Sequence, residues 1–240
     1  MLLYGHRGAK GEAPENTVAG FRYARALYLD GVHLDVRLSA DHELVVIHDE
    51  TVDRTTDSRG QVASMKAAKL ATLDARADFP AWTEAAGVPT LSDALDAASG
   101  IPHLLISVQP DEPKRLRRTC EKVIELLQDR WILDRVTVLS TSEDALKYIE
   151  QRAPFLPRAR AGWFDMEVKL DDARRLRCRS IAVPLATCSE ALVEGAHERD
   201  LTVIGWLGNS AEDVQAFAAL RVDAIVTDFP TVAKRALGLP

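Results

Sequence analysis

Apolar residues along the chain gather into eight short β-rich runs, separated by stretches where they recur at helical spacing. Residues 2–6, 31–36, 103–108, 135–140, 158–164, 180–185, 201–207 and 223–229 read as strands. Residues 16–29, 113–130, 142–152 and 210–221 read as helices among them. The longest of these places Leu116, Cys120, Val123, Ile124 and Leu127 on one face, the stripe a helix buries against a sheet. Strand followed by helix, eight times over, predicts an α/β fold: a (β/α)8 TIM barrel. A doubly wound open sheet is the alternative, but eight units in 240 residues close more naturally into a barrel.

One segment breaks this rhythm. After GVHLDVRL comes a turn-like SADH, and ELVVIHDE then reads as a strand returning antiparallel. The stretch from Thr51 to Pro89 is polar and irregular, with a short helix expected within residues 65–75. The reading is therefore a single domain over residues 1–240, with a small insertion after the second strand at about 40–89.

Composition narrows the partners. A net charge of −6 argues against nucleic acid, whose readers carry a basic surface, and leaves room for a small anionic substrate in a local positive pocket. Cys120, Cys178 and Cys188 are odd in number and lack CxxC spacing, so no disulfide framework and a reducing, cytoplasmic setting are expected. No apolar stretch approaches membrane-spanning length. The oligomeric state is open.

In a barrel of this kind the chemistry sits where the strands end. His6 and Arg7 close the first strand, Asp35 lies near the end of the second, His48 ends the returning strand, and Trp206 lies near the end of the seventh. Two histidines on one rim suit proton transfer near neutral pH, one as base and one as acid. An adjacent arginine suits a bidentate grip on phosphoryl oxygens. His42 and His197 fall in a turn and on a helix surface and should be exposed, whereas His103 begins a strand at the far end. In PENT, Asn16 reads as a helix N-cap. Glu15 either complements the helix dipole or orients Arg7 or a substrate hydroxyl.

The segments HRGAKGEAPENTVAGFRYA, GVHLDVRLSADHELVVIHDETVDRTTDSRG and VPTLSDAL, followed by GW and DAIVTDFP, resemble the glycerophosphodiester phosphodiesterase family in order and spacing. That resemblance, which extends to the phospholipase C-like phosphodiesterase superfamily, covers nearly the whole chain. It implies a TIM barrel that hydrolyses a small-molecule glycerophosphodiester to an alcohol and glycerol phosphate in lipid metabolism, usually with a bound divalent cation. It also implies that His6 and His48 are the acid–base pair, that Arg7 binds phosphate, and that Trp206 walls the glycerol.

The chain departs from the family pattern at one place. Where the family has Glu-x-Asp on the second strand, this chain has His33 and Asp35; where it has Glu-x-Lys on the third, this chain has Ser107 and Gln109. Alternation still turns His33 and Asp35 to one face. Of three carboxylate ligands only Asp35 stays, and Gln109 takes the place of a phosphate-facing lysine. Losing two carboxylates weakens a site for Mg²⁺ or Ca²⁺, while an imidazole suits Zn²⁺ or Mn²⁺. Two readings stand side by side. Either an altered metal site keeps Asp35 and His33, with Asp165 or Glu167 adding an oxygen, or the metal is gone and a protonated His33 supplies its charge. Three functions follow: a phosphodiesterase with an altered or absent metal requirement, a non-catalytic barrel binding a phosphate-bearing ligand, or a hydrolase or lyase with another substrate.

Overall fold

The computed structural model describes residues 1–162 and 168–240, the side chains of residues 168 and 169 excepted. In chain order the strands are β1 (Leu2–Gly5), β2 (Gly31–Leu38), β3 (Leu44–Val46), β4 (His103–Val108) and β5 (Val136–Ser140). They continue as β6 (Arg158–Ala161), β7 (Ser180–Pro184), β8 (Thr202–Trp206) and β9 (Ala224–Thr227). All but β3 are parallel, each paired with the next, and β9 returns to β1 with Leu2 opposite Ala224. The sheet is thus a closed eight-stranded barrel. Around it run α1 (Val18–Ala26), α3 (Leu91–Ala97), α4 (Pro113–Asp129), α5 (Glu143–Arg152) and α6 (Val168–Arg175), then α7 (Glu190–His197), α8 (Ala211–Ala219) and α9 (Pro230–Ala236). The predicted strand over 158–164 is described to Ala161 and Gly162; Trp163, Phe164, Asp165 and Glu167 lie outside the described residues.

Alternation along each strand divides the core in two. Val32, Leu34 and Val36 of β2, with Leu104 and Ile106 of β4, point out to the helices and share a buried cluster with Phe21, Cys120 and Phe217. The residues between them point inward. Leu105, Leu139, Ala159, Ala182, Ile204 and Val226 fill the barrel interior as a plug of apolar side chains. Above that plug, β2 continues inward with His33 and Asp35 and β4 with Ser107.

The insertion has its own small core. β3 runs antiparallel to β2, Val36 opposite Val46, and its Val45 packs with Ile47, Val52, Val62, Leu70 and Val88. The short helix expected there is α2 (Ala67–Leu70), only four residues long. VPTLSDAL brings the chain back through a capping box, Thr90 and Asp93 satisfying each other's backbone at the start of α3.

Asn16 is not the N-cap of α1. Thr17 takes that position in extended backbone, its side chain accepting from the Gly20 N–H. Asn16 stands one residue earlier in the left-handed region at φ 54°, with its amide committed elsewhere. His42 is exposed in its turn, His197 is exposed and 3.0 Å from Asp223, and His103 is exposed where β4 begins. Cys120 and Cys178 are buried, Cys188 is half-buried, and all three are free. Among the described residues no helix is long and apolar enough to cross a membrane.

Candidate active site

The strand ends surround a cavity of about 280 Å³. One wall is polar and built from Arg7, His33, Asp35, His48, Ser107 and Gln109; the other is apolar, with Val108, Leu139, Ala182, Pro184 and Trp206. Such a two-sided pocket suits a small ligand with one charged end.

Arg7 reaches the wall from the turn after β1. Its backbone is left-handed at φ 52°, and Gly8 follows at φ 93°, where a Cβ would lie 2.9 Å from the Gly20 backbone. Only glycine meets both demands at that second position. Arg7 itself pays a local backbone cost of about 1 kcal/mol, as residues held at functional sites often do. Two carboxylates fix its guanidinium: Nη1 donates to Glu15 at 2.8 Å, and Nε lies 3.0 Å from Asp35, off the line of a good hydrogen bond.

Glu15 is not presented to the cavity. Both its oxygens are taken, by Arg7 and by a fork from Arg54 at 2.8 Å on each. Burial alone would raise this carboxyl's pKa, but the hydrogen bonds and charges of Arg54 and Arg7 outweigh it and hold the pKa below the usual range. Arg54 comes from the insertion and also grips Asp49 through Nε at 2.7 Å and Nη2 at 3.0 Å. Those bonds from Arg54 lower the Asp49 pKa in turn.

Each rim histidine has a carboxylate at its back. Asp49 lies 2.7 Å from Nδ1 of His48, whose carbonyl accepts from Arg37. Asp228 lies 2.6 Å from Nδ1 of His6 and is itself clamped by Asn209, whose side chain donates to its carboxylate and accepts its backbone N–H. Nε2 of His6 is buried without a partner among the described residues. Burial lowers the His6 pKa more than the bond to Asp228 raises it, so the ring is held neutral. The two histidines are not equally placed. His48 lines the cavity with its side chain 41% exposed, whereas His6 is 3% exposed and lies behind His33 and Trp206, ring centroids 5.0 Å from each.

His33 is 1% exposed, stacked on His6 and edge-on to Trp206 at 4.7 Å. Neither ring nitrogen has a hydrogen bond among the described residues, and Nε2 is 3.6 Å from Asp35, too far to make one. Burial drives its pKa down to about 3 against the pull of Asp35, so His33 is neutral near pH 7, which disfavours the alternative in which a protonated His33 supplies the cation's charge. Asp35 is the reverse case. Burial would raise its pKa, yet the charges of His33 and Arg7 outweigh it and bring it to about 2; of these two, Arg7 stays charged at neutral pH and is the counterion there.

The described residues of this site fit a divalent cation poorly. Oδ1 of Asp35 accepts from Gln109 at 2.7 Å, and Oδ2 accepts from Asn16 at 2.9 Å and faces Arg7. Ser107 accepts from the same Gln109 amide at 2.9 Å. N–H donors therefore occupy the oxygens that Mg²⁺ or Ca²⁺ would need six or more of. Among the described residues no group of three or more His, Cys, Asp and Glu side chains is placed to hold a metal.

Sequence reasoning brought Arg7, His33, Asp35, His48, Gln109 and Trp206 to one cavity and set Ser107 beside them. It missed Asp49, Asp228 and Arg54. The first two had a visible signal, since Asp49 directly follows His48 and Asp228 ends a strand in TDFP. Arg54 had none beyond its place in DRTTD.

The Glycerophosphoryl diester phosphodiesterase family profile matches residues 6–232. A glycerophosphodiester phosphodiesterase of Caldanaerobacter subterraneus is 30% identical over 95% of this chain and 94% of its own length. One from Bacillus altitudinis is also 30% identical, over 95% and 94%. Among solved structures, a putative glycerophosphoryl diester phosphodiesterase from Silicibacter pomeroyi superposes with TM-score 0.92 at 25% identity, covering 100% of this chain and 94% of that one. An Oleispira antarctica phosphodiesterase, solved in complex with the product sn-glycerol-3-phosphate, shares the fold with TM-score 0.93 at 24% identity, over 99% and 97%.

Proposed function

The chain belongs to the glycerophosphoryl diester phosphodiesterase family, and from that premise we propose that it hydrolyses glycerophosphodiesters to an alcohol and glycerol phosphate. The observation that carries this reading is the pair of carboxylate-backed imidazoles, His6 on Asp228 and His48 on Asp49: His48 lines the cavity that holds Arg7, and His6 lies one ring behind it, against His33 and Trp206. A carboxylate on Nδ1 fixes which nitrogen carries the proton and leaves Nε2 for the reaction.

In this reading Arg7 binds the phosphoryl oxygens, and Trp206 with Leu139 and Pro184 shelters the glycerol end. Water attacks phosphorus in line with the leaving alcohol; where a neighbouring glycerol hydroxyl attacks first, water then opens the resulting cyclic phosphate to glycerol phosphate. His6, neutral and with Nε2 unbonded, accepts the attacking group's proton. His48, open to solvent, protonates the departing oxygen. The rings of His33 and Trp206 lie against His6 and screen it from the cavity, so proton transfer to His6 requires them to part. That screening of His6 favours a second reading, a barrel that binds a phosphate-bearing ligand without turning it over.

Release of alcohol from glycerophosphocholine and glycerophosphoethanolamine separates the two. Hydrolysis is expected, with His6→Ala and His48→Ala each lowering kcat by ~10²-fold or more. Glycerol phosphate binding with no cleavage in any buffer establishes the second reading. If either variant keeps nearly full activity, the role given to that histidine is wrong.

A further inference from the structure

We propose that His33 is a substrate-binding group, donating a hydrogen bond to a phosphoryl oxygen, and that with Arg7 it stands in for the divalent cation of related barrels. The inference rests on the phosphodiester reading above and gives its site a cation-independent electrophile.

Three observations carry it. First, alternation along β2 turns His33 into the barrel, where it lines the same cavity wall as Arg7 and Asp35. Second, the ring is 1% exposed and neither of its nitrogens has a partner among the described residues. Buried polar atoms are nearly always paired, so an unpaired one on a ring that borders a pocket points to a ligand that pairs it. Packing supplies the orientation that a hydrogen bond usually gives: His6 lies against one face of the ring, and Trp206 stands perpendicular to it. Third, the neighbouring oxygens are committed. Gln109 ties Asp35 to Ser107, Asn16 closes the other side of Asp35, and the Arg7 guanidinium stands where a cation would otherwise meet that carboxylate. This is a network completed by N–H groups, with the His33 imidazole and the outer edge of Arg7 as its remaining donors. Donors fixed in advance around a transferring phosphoryl group stabilise its charge without reorganising.

The test pairs binding with turnover. Calorimetric titration of sn-glycerol 3-phosphate and cleavage of glycerophosphocholine are measured on chelator-treated protein, then with Mg²⁺, Ca²⁺, Mn²⁺ or Zn²⁺ added. Both are expected to survive chelation within about twofold. His33→Ala should weaken glycerol phosphate binding about tenfold or more, the loss of one hydrogen bond to a charged group. His33→Gln, which restores an N–H, should recover most of it, and melting curves confirm that each variant is folded. Wild-type binding that vanishes with chelator and returns with a cation overturns the inference, as does His33→Ala binding like wild type. Cleavage that strictly requires a cation refutes the role of His33 and leaves hydrolysis standing. Cation-free binding without cleavage refutes hydrolysis and supports the role of His33 in binding.

Discussion

Arg54 should matter well beyond its own neighbourhood, because its side chain joins the insertion to both halves of the polar wall at once. It forks onto Glu15, which holds Arg7, and grips Asp49, which holds His48. Arg54→Ala removes four hydrogen bonds at once. Glu15, its side chain 4% exposed, is left with Arg7 alone. Removing one partner of a fully buried ion pair costs about 3–5 kcal/mol, and of an exposed pair under about 1 kcal/mol. Arg54 is 38% exposed, so water enters behind it and a loss of about 2–3 kcal/mol follows. For a chain of this length that is a fall of about 5–10 °C in Tm, read by calorimetry or circular dichroism. Turnover should fall about 10–100-fold, since His48 and Arg7 both lose a brace and misplacement by a fraction of an ångström is costly. Arg54→Lys keeps the charge but lacks the planar fork, and should recover less than half of the lost stability. A variant that melts within 2 °C of wild type, or keeps kcat/KM within about twofold, would show that the bridge is ornamental.

Acid should destabilise the fold earlier than its carboxylates alone would allow. His33 has a folded pKa of about 3 against 6.5 unfolded, so between those values the unfolded chain binds more protons. Its contribution is complete above pH 6.5 and is lost as pH falls toward 3, by up to about 1.4 kcal/mol per pH unit. His6, lowered in the same direction, adds to this slope. Urea midpoints from pH 8 to 4 should decline from near pH 6.5, and His33→Gln should flatten the curve; a wild-type midpoint constant down to pH 5 is incompatible with a neutral buried His33. Asp228→Asn keeps the shape around His6 but loses the charge that fixes its tautomer, so kcat should drop by ~10²-fold with little change in KM. Adding Asp228→Asn to His6→Ala should cost little more, whereas additive losses would separate the two residues.

The barrel could be read in the sequence because each of its eight units repeats a local signal, and the signals agree. The inward face of β2 was legible for the same reason, since a period of two fixes where His33 and Asp35 point once the strand is placed. Pairings across long sequence gaps were not legible. Asp228 meets His6 through the β9–β1 closure, and Arg54 meets Glu15 through the folding of an insertion without periodicity. Asn16 was misread because its type suits an N-cap and its neighbour Thr17 suits one equally; Asp35, nineteen residues on, decided between them. Charge state was out of reach too. A histidine beside an aspartate reads as protonated, and only its complete burial, with 3.6 Å to the carboxylate, makes it neutral.

His33, Ser107 and Gln109 are best understood as one electrostatic change. In the pattern that the sequence resembles, three carboxylates are balanced by a lysine and a dication, with the arginine in excess. Here Asp35 is the carboxylate that remains, and Arg7 is its counterion at 3.0 Å. Losing the dication alone would leave one carboxylate uncompensated even with the arginine counted, and losing the two Glu carboxylates alone would leave the dication too few ligands. Losing both, with the lysine, brings the site to within one charge of where it began. The replacements also fit one another, since Gln109 bonds both Ser107 and Asp35 and so uses the hydrogen-bonding capacity that a metal would have taken. Decay at separate positions gives no reason for this mutual satisfaction. It is what the proposed pocket would require, one that binds a singly charged phosphodiester with one guanidinium and uncharged donors, which is why the unpaired nitrogens of His33 are the feature to test first.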